Sequence, residues 1–137
     1  MVCYQSKYSK LKGSTEREIY KQAKLVFSKI EKRTKRKPYI RSAYFKKQKI
    51  FFDYFWVHVF QTSPRIRRDR LKYFAAAIDL LEHSRNKPTA KPNPNKRSET
   101  LYRFVGLTKE KELFFVQVKE NPRKKKLQFM SLFSLDT

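Results

Sequence analysis

The sequence predicts an α+β protein in which N-terminal helices pack on a C-terminal antiparallel β-sheet of three or four strands. Two observations lead to this fold class. Apolar residues recur at helical spacing before residue 84, and three short runs rich in β-branched and aromatic residues follow residue 100. With 137 residues, 39% of them hydrophobic, the chain can bury the core of a single domain.

The first helix is predicted over residues 15–33. Thr15 and Glu18 form a capping box, in which each side chain bonds the backbone N–H of the other residue. A basic run at 32–37 follows, in which five of six residues are cationic, and Pro38 cannot continue a helix. The residues predicted to face the core are Ile19, Ala23, Val26, Phe27 and Ile30.

The middle of the chain, residues 39–61, is dense in aromatic residues but follows neither the helical nor the strand period. We expect a short extended segment at 39–45 and a helix at 53–61, because Asp53 can cap a helix. Ser63 and Pro64 then mark a new helix, since serine is a favoured cap and proline is favoured at the first helical position.

That helix is predicted over residues 64–84. Arg67 and Arg70 share the angular sector of its apolar stripe, so we expect both to emerge at the mouth of the surface that the stripe covers. Asp79 and His83 fall on the opposite side and are predicted to face solvent. The stripe itself consists of Leu71, Phe74, Ala77, Ile78 and Leu81.

The last part of the chain is predicted to be a loop followed by a three-stranded antiparallel meander. Residues 85–99 are rich in proline and asparagine, which indicates a surface loop. Strands are predicted at 101–105, 113–119 and 127–135. Strict alternation places polar interruptions on an otherwise apolar face of each strand: Arg103 beside Leu101 and Val105, Gln117 and Lys119 beside Phe115, and Ser131 between Phe129 and Phe133.

The charge balance points to a polyanionic partner. Lysine and arginine number 34 against 12 acidic residues, a formal charge of +22, which exceeds what solubility alone requires. Nucleic acid is the favoured partner, with an anionic membrane surface or an acidic protein as alternatives. The residues expected to contact phosphates are Lys32, Arg33, Lys35, Arg36, Lys37, Arg67, Arg123, Lys124, Lys125 and Lys126.

Several functional classes lack their signatures. Cys3 is the only cysteine, so a disulfide framework is excluded and a reducing, cytoplasmic location is expected. His58 and His83 are the only histidines, and no spacing resembles a zinc site. With two glycines, Gly13 and Gly106, the chain has no phosphate-binding loop, and its acids form no two-metal cluster. We expect no metal ion, no cofactor, no signal peptide and no membrane segment.

Four segments resemble the phage-associated branch of the barnase, EndoU, colicin and RelE-like nuclease superfamily. They are "RRDRLKYFAAAIDLLEHSRNKP", "LYRFVGLTK", "ELFFVQVKE" and "LQFMSLF", within residues 44–133. The resemblance implies a small α+β domain whose exposed sheet face cleaves RNA, with functional weight on Arg70, Arg103, Lys119 and Ser131. It also implies a toxin-like nuclease with an acidic inhibitor. Residues 1–38 lie outside it and are interpreted as a basic helical arm on a core at 39–137.

These features predict a metal-independent endoribonuclease. Such chemistry needs a proton acceptor for the 2′-hydroxyl and cations that hold the charge of the transition state. His58 is a candidate for proton transfer, because histidine ordinarily titrates near neutral pH, although a lone histidine among aromatics is more often a packed core residue. Binding of RNA or the ribosome without catalysis is the alternative, because aromatics interleaved with cations can stack on bases. DNA binding is a third possibility.

Overall fold

The structure, a computed structural model, describes residues 3–136 and shows an α+β fold. One mixed sheet packs with four α-helices within this part of the chain. The elements in chain order are β1 (Tyr4–Gln5), α1 (Glu16–Lys32), β2 (Tyr39–Arg41), β3 (Lys49–Phe51), α2 (Asp53–His58) with a 3-10 turn (Val59–Gln61), α3 (Pro64–Leu71), α4 (Phe74–His83), β4 (Thr89–Asn93), β5 (Lys96–Leu107), β6 (Leu113–Asn121) and β7 (Lys126–Phe133).

The centre of the sheet is the predicted meander, since β5, β6 and β7 pair in antiparallel order. The expectation of three or four antiparallel strands is nevertheless wrong, because the described residues form a seven-stranded mixed sheet. β3 pairs parallel with β7, with Phe51 opposite Gln128, and β1 pairs parallel with β5, with Tyr4 opposite Gly106. These two strands are only two or three residues long, so their own sequences carry too little periodicity to reveal them.

The prediction of a loop at 85–99 is also wrong for most of these residues, which form β4 and the start of β5. β4 pairs antiparallel with β5 through a turn at Pro94 and Asn95, and the Asn93 side chain accepts a hydrogen bond from the Asn95 N–H at 3.0 Å. β4 pairs with β5 alone, so Pro92 lies on a strand with a free edge, where its missing N–H breaks no second ladder.

The predicted helix at 15–33 is confirmed as α1, capped by Thr15, whose hydroxyl accepts the Glu18 N–H at 3.2 Å. The helix predicted over 64–84 is instead divided into α3 and α4. At the division the Tyr73 N–H donates to the Arg70 carbonyl at 3.1 Å, and the Lys72 carbonyl accepts the Leu11 N–H at 2.8 Å. A hydrogen bond from the N-terminal segment thus takes the place of a helical one at Lys72, so the helix is not continuous as the apolar pattern predicted.

The sheet has an inner face that packs against α1 and α4 and an outer face that does not. Phe104, Val116 and Leu132 lie on the inner face, in one core cluster with Ile19 and Phe27 of α1. The pairing of β6 with β7 contains a β-bulge. Gln117 is opposite Ser131, but the next residue, Val118, is opposite Phe129, so Met130 is an extra residue in β7.

This bulge corrects the predicted alternation in the last strand. Phe129 is fully buried on the inner face, whereas Ser131 and Phe133 lie on the outer face. A strict period of two would have placed all three side chains on one face.

Candidate functional site

Arg103, Lys119 and Ser131 lie on the same face of the sheet, the outer one. Arg103 of β5 is opposite Gln117 of β6, which is opposite Ser131 of β7, so these residues form one row across three strands. The Ser131 hydroxyl donates a hydrogen bond to Gln117 Oε1 at 3.1 Å. Lys119 follows Gln117 by two residues and therefore shares its face. Three polar side chains from three strands are thus gathered on one surface.

An aromatic pair lies in the next row and brings two arginines together. Phe115 and Phe133 are opposite each other and stack with ring centroids 5.3 Å apart. The guanidinium carbon of Arg103 lies 5.3 Å from the Phe133 centroid, and that of Arg70, from α3, lies 6.0 Å from the same centroid. Arg103 Nε is buried and has no hydrogen-bond partner among residues 3–136. Two positive groups from distant parts of the sequence therefore converge on Phe133.

Arg70 reaches this position because helices, not a strand, flank the second half of β7. Of the residues of β7, only Leu127 and Gln128 pair with β3. Beyond these two residues, α2 and α3 contact the edge of β7. A cavity of about 60 Å³ opens there, which we call the edge cavity, with Arg70, Ser131 and His58 in its wall. Burial lowers the pKa of the Arg70 guanidinium, although arginine stays charged at neutral pH.

His58 ends α2 and is oriented by its own helix. Its Nδ1 lies 2.7 Å from the Tyr54 carbonyl oxygen, which can only accept, so Nδ1 carries the proton. In the neutral ring the lone pair is then on Nε2. The imidazole also stacks on the Tyr54 ring, with centroids 3.9 Å apart and planes inclined by 19°. His58 is thus half-buried at the cavity wall with one nitrogen able to accept a proton.

Lys119 lies beyond Tyr54 and does not reach the edge cavity. Its ammonium is 3.5 Å from the Tyr54 ring centroid, so it must occupy the ring face opposite to the one on which His58 stacks. It also lies 3.7 Å from the Glu99 carboxylate, in a groove of about 360 Å³ that we call the basic groove. His58 lines both spaces, which makes them neighbours. Arg70 and Ser131 therefore line one space and Lys119 the other.

Arg67 has a structural environment that differs from the predicted one. It is only 8% exposed, its Nε donates to Glu16 Oε1 at 2.7 Å, and its Nη1 donates to the Thr62 carbonyl at 3.0 Å. Its guanidinium also lies 4.4 Å from the Phe60 ring centroid. These contacts join α3 to α1 and fix Arg67 in the wall of the edge cavity, where its contact with phosphate stays a prediction.

The remaining predicted phosphate contacts form two exposed clusters. At the end of α1, Arg33 pairs with Glu82 at 2.8 Å and Lys37 with Asp53 at 3.8 Å. The other cluster is the turn between β6 and β7, where Asn121 Oδ1 accepts the backbone N–H groups of Arg123 and Lys124. Within residues 3–136 no ion pair holds the other cations of the two clusters, which are Lys32, Lys35, Arg36, Arg123, Lys124, Lys125 and Lys126.

The sequence interpretation missed Tyr54 and Phe133 as organising residues. Tyr54 separates His58 from Lys119, and Phe133 lies between the two arginines. Tyr54 could have been found, because it precedes His58 by four residues and so lies on the same helix face. The role of Phe133 depends on the packing of α3 against β7 and has no local signal.

No protein-family model, curated protein or solved structure matches this chain. Within the described residues no cluster of three or more histidine, cysteine, aspartate or glutamate side chains is placed to hold a metal ion. No helix among residues 3–136 has both the length and the apolar character needed to cross a bilayer.

Proposed function

We propose that this protein is a metal-independent, toxin-like endoribonuclease that acts in the cytoplasm at the edge cavity. The observation that carries the proposal is the meeting of His58, Arg70 and Ser131 in one cavity wall, with the guanidinium groups of Arg70 and Arg103 both near the Phe133 ring. A proton acceptor, two fixed cations and a hydroxyl are the groups that cleavage by the neighbouring 2′-hydroxyl requires.

The reaction assigns a task to His58 and to each of the two arginines. His58 Nε2 accepts the proton of the 2′-hydroxyl, whose oxygen forms a bond to the adjacent phosphorus. The bond from phosphorus to the 5′-oxygen breaks, and solvent protonates that oxygen. Arg70 and Arg103 stabilise the negative charge of the five-coordinate transition state, more strongly in a partly buried site than in water. The product is a 2′,3′-cyclic phosphate and a free 5′-hydroxyl.

Binding of the substrate uses the basic groove and the net charge of +22. Lys119, Lys124 and Lys126 line that groove, next to the cavity at which cleavage is proposed. A surface of this charge also suits an acidic inhibitor protein, which the resemblance implies, and which would compete with RNA for the same cations.

The test is incubation of the purified protein with RNA in excess EDTA. We expect cleavage that leaves 2′,3′-cyclic phosphate ends and that stops when the nucleotide 5′ of the cut is 2′-deoxy. His58→Ala, purified in parallel, controls for contaminating nucleases and should cleave about 10²-fold more slowly. No cleavage by the unaltered protein, or equal cleavage by both proteins, would refute the endoribonuclease.

Binding of RNA or the ribosome without cleavage is the second candidate. The observation in its favour is that Lys119 is paired with Glu99 and lies over the Tyr54 ring, an arrangement that fixes this cation in the basic groove and keeps it out of the edge cavity. Tight RNA binding together with the absence of cleavage in the same assay would select this function.

A further inference from the structure

The antiparallel ribbon of β2 and β3 presents two aromatic rings and two cations on one face. Ile40 and Ile50 are buried in the core, so alternation turns Tyr39, Arg41, Lys49 and Phe51 to the other side. The Tyr39 and Phe51 rings lie opposite each other with centroids 6.0 Å apart. We call these four residues the aromatic ribbon.

Each ring of the aromatic ribbon has a cation beside it. Lys49 Nζ lies 4.5 Å from the Tyr39 centroid and the Arg41 guanidinium carbon lies 5.4 Å from it. Lys126 Nζ, from β7, lies 4.7 Å from the Phe51 centroid. No ion pair involves Arg41, Lys49 or Lys126 within residues 3–136, so these charges are available to an anionic ligand.

The aromatic ribbon continues the outer face of the sheet. Tyr39 is opposite Phe51, Phe51 is opposite Gln128 in the parallel pair, and Gln128 is opposite Lys119. These four residues therefore form one row across β2, β3, β7 and β6, which spans roughly 14 Å at about 4.8 Å per strand. The row ends at Lys119, next to the Tyr54 and His58 stack.

Grooves along this row are linked by shared residues. The first, of about 560 Å³, runs between the 33–37 segment and the Tyr39 and Phe51 rings. The second, of about 460 Å³, shares Lys49 and Phe51 with the first and includes Lys124 and Lys126. Those two lysines also line the basic groove, which shares His58 with the edge cavity. A basic path thus leads from the end of α1 to the edge cavity.

A surface with aromatic rings beside cations should bind single-stranded RNA more tightly than duplex RNA. Unpaired bases can stack on an aromatic ring while their phosphates contact the neighbouring cations, whereas a duplex hides its base faces and offers only its backbone. We propose that the aromatic ribbon binds single-stranded RNA by stacking and that the linked grooves direct the strand toward the edge cavity. The direction of the strand rests on the proposed function, but the binding does not.

The test measures binding with a cleavage-defective protein, so that the RNA stays intact. Fluorescence anisotropy with full-length His58→Ala compares an unstructured RNA oligonucleotide with the same strand in a duplex. We expect the single strand to bind more tightly, and Tyr39→Leu to weaken it on the order of tenfold without changing duplex affinity. Leucine keeps apolar volume at this half-buried position but has no ring face.

Tyr8→Leu is the matched control. Tyr8 is also a partly exposed tyrosine with a cation over its ring, Lys7 Nζ at 5.4 Å, but it lies in the N-terminal segment and lines none of the grooves of the basic path. This variant should leave both affinities within about twofold, because it removes no stacking surface on the path. Thermal melting of both variants verifies that they are folded.

Three results would overturn the proposal. They are an unchanged single-strand affinity in Tyr39→Leu, an equal loss for single strand and duplex, and equally tight, Tyr39-dependent binding of polyglutamate, which would indicate an acidic protein ligand. If the unaltered protein cleaves RNA but Tyr39→Leu has no effect, the aromatic ribbon fails and the nuclease stands. If Tyr39→Leu weakens single-strand binding but the unaltered protein does not cleave RNA, the aromatic ribbon stands and the nuclease fails.

Discussion

Arg67 and Arg70 lie three residues apart on α3, yet their surroundings assign them opposite tasks. Both side chains line the edge cavity, but Arg67 is bonded to Glu16 and the Thr62 carbonyl, whereas Arg70 lies near the Phe133 ring. The sequence placed both in one angular sector and predicted that Arg67 contacts phosphate and that Arg70 takes part in cleavage. Their difference comes from Glu16, which is 51 residues from Arg67 along the chain.

Replacement of Arg67 by alanine should destabilise the fold. Glu16 would lose its partner while only 25% exposed, so we expect a loss of about 2–4 kcal/mol in the free energy of unfolding, somewhat below the cost for a fully buried pair. Urea denaturation measures this loss. Arg68→Ala is the control, because Arg68 pairs with adjacent Asp69 at the surface and should cost no more than about 0.5 kcal/mol. Equal losses in the two variants would contradict the structural role of Arg67.

Replacement of Arg70 or Arg103 by alanine should lower the rate of RNA cleavage about 10²-fold, the usual effect of losing one transition-state contact. The unfolding free energy should change little for Arg103, which lies half-buried on the outer face. Single-turnover kinetics with saturating enzyme isolate the chemical step. Arg68→Ala should retain the rate of the unaltered protein, and a comparable loss in that variant would show that only general charge matters.

At the scale of elements, packing decides where helices end and where strands pair. A helix approaches the sheet closely at Gly106 of β5. A Cβ atom added there would lie 2.5 Å from Leu80 Cδ1 of α4 and 2.9 Å from Phe114 Cζ of β6. Leu80 and Phe114 are fully buried, so neither side chain has space into which it can move. Glycine is required at this position because a Cβ atom would lie too close to Leu80 and Phe114.

Gly106→Ala should therefore destabilise the protein by about 1–3 kcal/mol through overpacking. Thermal or urea denaturation measures the effect. The double variant Gly106→Ala with Leu80→Ala removes the clashing methyl group, so its loss should be smaller than the sum of the two single losses. Additive losses would show that the contact between α4 and β5 does not constrain Gly106.

At the scale of the whole molecule, positive side chains extend along the linked grooves. One exposed cluster lies at the end of α1, in the first groove, and lysines of the other line the second and third grooves, beside the aromatic ribbon. The acidic residues are used largely elsewhere, for example Glu16 with Arg67 and Glu112 with Lys10. A long polyanion would therefore contact many cations at once.

RNA affinity should fall steeply with salt for this reason. If six or more phosphates are engaged, the release of counterions predicts a loss of roughly 10³-fold or more between about 50 and 200 mM monovalent salt. Anisotropy titrations with His58→Ala give the slope of log affinity against log salt. Lys125→Gln, on the path, should make this slope shallower, whereas Lys111→Gln, in the turn between β5 and β6, should not. A flat response would contradict phosphate binding.

Local patterns in the sequence were sufficient for features that depend on near neighbours. The Thr15 cap and the helical period of its apolar residues predicted α1, and alternation within three runs predicted the β5, β6 and β7 meander. Such signals lie within one turn of helix or a few residues of strand, and in these elements no tertiary contact overrides them. The overall charge is likewise a property of composition alone.

Only the tertiary structure decided the features that join distant residues. The Leu11 N–H divides α3 from α4 at Lys72, and pairing with β5 orders the proline-rich segment as β4. The bulge at Met130 sends Phe129 inward and leaves Ser131 outward. The same long-range packing places His58 and Arg70 at the edge of β7 and puts Lys119 behind Tyr54. Periodicity carries no information about these contacts, because each depends on which surfaces meet after the chain has folded.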